Sequence, residues 1–119
     1  MQVLIVEDFE PEAFLLASLI ASLSSRVDIA HTMAEAWQWL RGQIKYDVVF
    51  FDLTLKDSIP QKSIEAVEEM KHLAKIVVVT GNPDPAMEQS AMAAGAHSYL
   101  LKHDPDFADK VRAHLVAIA

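Results

Sequence analysis

Cysteine is absent from the 119 residues, which removes disulfides, thiolate metal sites and thiol nucleophiles. Glycine occurs only three times, at Gly42, Gly81 and Gly95. No glycine-rich loop follows the first apolar run, so a nucleotide or flavin phosphate has no cradle there. No apolar stretch approaches the roughly 20 residues that span a bilayer. The start, Met1-Gln2-Val3, runs straight into a strand-like segment and lacks the basic opening and cleavage site of a signal peptide. Positive charge is scarce too. Ten Lys and Arg face 17 Asp and Glu, for a net charge of −7, and Arg41, Lys45, Lys71 and Lys75 are scattered. Binding to a phosphate backbone needs clustered cations. These deficits predict a cytoplasmic protein with neither nucleic acid nor membrane as a partner.

What remains is a globular composition, 52% hydrophobic and 23% charged. Its length suits one domain, residues 1–119. Val3-Leu4-Ile5-Val6, Val48-Val49-Phe50-Phe51 and Ile76-Val77-Val78-Val79 are continuous apolar runs, the pattern of strands covered on both faces. Val27-Asp28-Ile29-Ala30 alternates, as an edge strand does, and Ser98-Tyr99-Leu100-Leu101 is a fifth candidate.

Helical signals fill the gaps. Pro11 is placed to start a helix whose inner face is Leu16, Leu19, Ile20 and Leu23. Thr32 and Glu35 form a capping box ahead of Met33, Ala36, Trp37 and Leu40. A third helix is expected over Ser63 to Leu73, using Ile64, Val67 and Met70. Asp84-Pro85 opens a fourth, with Gly95 as its C-terminal cap. Asp104-Pro105 opens the last, facing inward with Phe107, Val111, Leu115 and Ile118. Strict alternation gives (βα)5, a doubly wound parallel sheet with right-handed crossovers.

Ligands of such sheets bind beyond the carboxyl ends of the strands, where strand order reverses. Glu7 and Asp8 follow the first run, Asp52 the third, Thr80 the fourth and Lys102 the fifth. Each alone is an ordinary loop or cap residue. With strand order 2-1-3-4-5, Glu7, Asp8 and Asp52 converge. Two like charges about 4 Å apart repel by about 4 kcal/mol at an effective dielectric near 20, so the cluster calls for a cation. Oxygen ligands without imidazole or thiolate favour Mg2+.

Val3 to Asp8 (VLIVED), Phe50 to Lys56 (FFDLTLK), Val77 to Gly81 (VVVTG) and Gly95 to Lys102 (GAHSYLLK) resemble the signature segments of response-regulator receiver domains, in a stand-alone form like the chemotaxis regulators. The resemblance covers the whole chain in order and implies the flavodoxin-like fold. It implies that Asp52 accepts a phosphoryl group, without the chain being an enzyme beyond self-catalysed acceptance and dephosphorylation. Asp8, Asp52 and the backbone carbonyl of Thr54 would bind Mg2+, with Glu7 acting through water. Lys102 would pair with a phosphoryl oxygen, the Thr80 hydroxyl would move toward it, and Tyr99 would turn inward. Thr54 and Asn82 sit where the family tunes phosphoryl lifetime. The implied donor is a histidine kinase or histidine phosphotransfer protein. The implied output is contact with a downstream protein through the fourth helix, fifth strand and fifth helix, near Met87, Tyr99 and Val111, by a monomer or weak dimer.

Three positions depart from the family pattern. Lys56 stands where proline is frequent, the loop Lys56 to Lys62 (KDSIPQK) lacks a glycine, and His103 replaces the proline that favours a cis peptide. They bear on loop shape and partner choice. Among rival functions, an aspartate-nucleophile hydrolase needs a second Asp at Thr54, and a flavodoxin-like cofactor binder needs the missing phosphate loop. A receiver-like module that binds partners without phosphorylation is the main alternative. The five histidines show no metal-ligand spacing and are assigned structural or surface roles. Trp37 belongs to the inner stripe, and Trp39 to packing or to a partly exposed contact.

Overall fold

Two faces of apolar side chains leave the central runs no stable place except between helical layers. The computed structural model describes residues 1–119. Strands β1 (Gln2–Val6), β2 (Arg26–Ala30), β3 (Val48–Asp52), β4 (Lys75–Thr80) and β5 (Ser98–Leu101) alternate with α1 (Glu10–Ile20), α2 (Met33–Leu40), α3 (Pro60–Met70), α4 (Pro85–Ala94) and α5 (Phe107–Ile118). All pairings are parallel, in the order β2-β1-β3-β4-β5. The expected (βα)5 sheet and its 2-1-3-4-5 order are therefore observed.

Alternation along each strand divides the core. Leu4, Val6, Val49, Phe51 and Val78 pack with Ala36 of α2, Ala66 and Val67 of α3 and Ala91 of α4. Val3, Ile5, Val48, Phe50, Val77 and Leu100 pack on the other side, with Ala13, Leu16 and Ile20 of α1 and Val111 and Leu115 of α5. This parity decides where the polar residues at the strand ends point.

Local signals act as their chemistry requires. The Thr32 hydroxyl accepts from Glu35 N at 3.1 Å, while the Glu35 carboxylate accepts from His31 N at 2.6 Å, closing the capping box. Asp84 accepts from Ala86 N at 3.0 Å and Met87 N at 3.3 Å. Gly95 ends α4 with φ 110°, a left-handed cap that side chains disfavour. Trp39 is half-buried against the core, and the Arg41 guanidinium lies 5.0 Å from the Trp37 ring centroid.

Four expectations are corrected. Helix α3 spans Pro60–Met70 rather than Ser63 to Leu73, because Pro60 pre-sets the first helical turn, and Leu73 is left exposed. Leu23 leaves the inner face of α1, since Ala21–Leu23 tightens into a 3-10 turn. Asp104-Pro105 forms a turn before α5 rather than its first residues, with Phe107 N donating to the Asp104 carbonyl at 3.0 Å. Val111 is fully buried between α5 and the sheet, so it cannot lie on a contact surface.

Candidate functional site

Three segments meet at the carboxyl edge of the sheet. Glu7 and Asp8 leave β1, Asp52 ends β3, Thr54 follows it, and Lys102 follows β5. By strand parity, Glu7, Asp52 and Lys102 continue the face covered by α1 and α5. Thr80 and Tyr99 continue the opposite face, beneath α4.

The Glu7, Asp8 and Asp52 carboxylates offer oxygens that all lie within 4.8 Å of one another. Asp52 is buried. Its Oδ1 accepts from Thr54 N at 2.9 Å and from the Thr54 hydroxyl at 2.7 Å. Its Oδ2 accepts from the Lys102 ammonium at 3.2 Å. Asp8 Oδ2 accepts from Lys56 N at 3.0 Å, which ties the loop after β3 to the end of β1. Lys102 also donates to Glu7 and to Glu12.

This crowding sets the acidities. Burial, together with the Asp52 carboxylate, pushes Glu7 up to about 8 against the opposing pull of Lys102. Burial works upward on Asp52 as well, yet hydrogen bonds from Glu7 and Thr54 and the Lys102 charge outweigh it and hold Asp52 below its usual value. Burial also disfavours the charged Lys102, but Glu12, Glu7 and Asp52 overcome it and raise its pKa. At neutral pH the site therefore holds an ionised Asp52 beside an ammonium, the pairing that a nucleophilic carboxylate needs.

Thr80 and Tyr99 make no bond to the carboxylates. Buried Thr80 accepts from Asn82 N at 3.2 Å, and the Tyr99 hydroxyl donates to the Asn82 carbonyl at 3.3 Å. Thr80 and Tyr99 thus join at Asn82 rather than at Asp52.

Two further residues belong to this rim. Glu12 reaches Lys102 from the first turn of α1; in the sequence it looks like an acidic residue complementing a helix dipole. The His103 ring stands over Gly81, where an added Cβ would lie 3.2 Å from Nε2. A cavity of about 360 Å3 opens over the carboxylates, with Lys56 and His103 on its walls. A larger one, about 690 Å3, lies between α2 and α3, away from the carboxylate cluster. Beside it Asp57 accepts from Met33 N at 2.9 Å and Ala34 N at 3.4 Å, capping α2 from another segment. His31 approaches the Glu7 carbonyl with Nδ1 at 3.2 Å, and His97 and His114 meet edge to face at 6.0 Å.

A parallel sheet in this order, with its polar side chains at the reversal point, defines a flavodoxin-like α/β domain of the receiver type. The chain belongs to the response regulator receiver domain family, whose model matches residues 3–111. No curated protein matches it. Among solved structures, a two-component response regulator from Clostridium difficile aligns with a TM-score of 0.86 at 20% identity, covering 99% of this chain and 94% of that one. A response regulator from Thermotoga maritima aligns at 0.83 and 21% identity, covering 98% and 95%. A response regulator protein from Burkholderia pseudomallei, described with a phosphorylated aspartic acid, calcium ion and citrate, aligns at 0.76 and 25% identity, covering 95% and 71%. Family membership implies phosphoryl acceptance in two-component signalling and a kinase or phosphotransfer donor. No helix is long and apolar enough to cross a membrane.

Proposed function

We propose that residues 1–119 form one receiver domain that accepts a phosphoryl group on Asp52 from a phosphohistidine donor, with Mg2+ as the required ion. The observation that carries this reading is the convergence of the Glu7, Asp8 and Asp52 carboxylates beside the Lys102 ammonium. The donor set fits the ion, since the three clustered groups are all carboxylates, whose oxygens suit a hard cation. Burial first, and then the neighbouring Asp52, push Glu7 up to about 8, and a bound cation would favour its ionised form. Asp8, Asp52 and the Thr54 backbone carbonyl would hold the ion, and Glu7 would act through water. When bound, the ion supplies charge neutralisation at the phosphoryl oxygens.

The chain's own groups do the rest. An Asp52 carboxylate oxygen forms the new bond to phosphorus. The bond from phosphorus to the donor's imidazole nitrogen breaks, and that nitrogen keeps the electron pair. Lys102 pairs with a phosphoryl oxygen. This is catalysis by position and charge rather than by covalent work elsewhere. Water later returns the carboxylate and releases inorganic phosphate. Thr54, already bonded to Asp52, and Asn82 tune how long the acyl phosphate lasts. The added charge of about −1.5 to −2 draws the Thr80 hydroxyl from Asn82, and Tyr99 turns inward. The change is read by a downstream protein on the surface of α4, β5 and α5, near Met87 and Tyr99, with the chain as a monomer or weak dimer. The Burkholderia pseudomallei protein, described with a phosphorylated aspartic acid and a calcium ion, supports the pairing of acceptor and divalent cation.

Incubation with Mg2+ and acetyl phosphate, followed by intact-mass spectrometry, tests the reading. The wild-type chain is expected to gain one phosphoryl group, and neither EDTA-treated protein nor Asp52→Asn should gain it. A wild-type chain that gains none is the module that works without phosphorylation. Backbone resonance shifts confined to α1 and α2 on activation would overturn the assigned output surface.

A further inference from the structure

An ammonium has three N–H donors, and in this structure Lys102 spends all three on carboxylates, those of Glu7, Glu12 and Asp52. A phosphoryl group on Asp52 would bring new acceptor oxygens to a lysine with no donor to spare. One carboxylate must let go. The three are not equally able to do so. The Glu7 and Asp52 side chains are 4% and 2% exposed, so water reaches them far less readily than it reaches Glu12, which is 37% exposed and can exchange the ammonium for solvent. A buried carboxylate stripped of its cation is costly, and a solvated one is not.

We propose that Glu12 is a positioning residue that occupies the third donor of Lys102 and competes with the phosphoryl oxygen for it. The inference rests on Asp52 being the phosphoacceptor and adds a residue that sets how readily the acyl phosphate is captured. Glu12 comes from α1, outside the strand ends that supply the other side chains. It makes no bond to Asp52 or Asp8 and reaches the site through Lys102, with Glu7 as its one other neighbour there.

Beryllofluoride with Mg2+ serves as the phosphoryl probe, and its dissociation constant is measured on the 119-residue chain. Glu12→Gln is expected to bind it about two- to fivefold tighter, the scale of a half-exposed ion pair. Glu12→Asp keeps the charge but falls one methylene short of Lys102, and is expected to tighten binding as Glu12→Gln does. Glu10→Gln removes the same charge from the same helical turn, where Glu10 lies only near His31, and is expected to leave the constant unchanged. The Lys102 ammonium protons, followed through the 15N resonance, should exchange with solvent faster in Glu12→Gln than in wild type. Equal affinity of wild type and Glu12→Gln overturns the proposal, as does equal tightening by Glu10→Gln. A wild-type chain that binds no beryllofluoride overturns the phosphoacceptor reading itself, and is told apart from the first result by that alone.

Discussion

Two lysines in this chain gather carboxylates, and they differ in nearly everything that follows. Lys110 sits on the surface of α5, 43% exposed, with Asp104 at 3.0 Å and Asp106 at 3.5 Å. Lys102 sits at the sheet edge, 15% exposed, with Glu7, Glu12 and Asp52. Water and salt can take the place of either partner at Lys110, so its bonds organise a turn and little more. At Lys102 two of the three partners, Glu7 and Asp52, are buried, and removing the cation leaves them crowded together with little solvent to replace it. The same pairing of charges is decoration in one place and a precondition of the site in the other. Burial decides which.

The comparison breaks most severely at Lys102. Lys102→Met should destabilise the metal-free chain by about 3–5 kcal/mol, the usual cost of orphaning a buried charge, measured by urea denaturation. Added Mg2+ should recover much of that loss, since it replaces the missing positive charge. A Lys102→Met variant as stable as wild type would place the site in the same class as Lys110.

Next in size is a pH effect. The folded-state pKa of Glu7 is raised from 4.5 to about 8, so the folded chain binds more protons than the unfolded chain between those values. Stability from Glu7 is therefore fully present below about pH 4.5 and is lost as pH rises through about 8. In EDTA, the unfolding midpoint of wild type should fall across this window, and Glu7→Gln should flatten the slope. Mg2+ should oppose the fall, because it stabilises the ionised form.

The smallest effect belongs to Lys110. Lys110→Ala should leave the denaturation midpoint and Mg2+-dependent phosphorylation unchanged within scatter, at low and at high salt. A salt-dependent loss there would show that exposure misjudges the worth of the Asp104 and Asp106 pairs.

Most of the frame was legible because it rests on short-range rules. Continuous runs such as Val48 to Phe51 have no stable place except a covered sheet, and Thr32 with Glu35, or Asp84 with Gly95, declare helix ends through local hydrogen bonding. The reversal point then directed attention to Glu7, Asp8, Asp52, Thr80 and Lys102. What stayed hidden needed the third dimension. Glu12 carries no mark of its meeting with Lys102, 90 residues away in sequence, since only the docking of α1 on β1 and against α5 brings them together. Asp57 likewise gives no sign of capping α2 from a different segment. Val111 has the right spacing for an inner face, and the pattern that places it inward also removes it from any partner's reach. Pro60 was a legible helix start concealed within a stretch of loop-like residues.

Asn82 holds one end of the sheet like a shared hinge pin. Its amide hydrogen rests on the Thr80 oxygen, while its carbonyl receives the Tyr99 hydroxyl, so two side chains from adjacent strands are fastened to a single link. Withdraw either one and the link loses a restraint that the other also feels, which makes the pair a mechanical unit before any partner arrives.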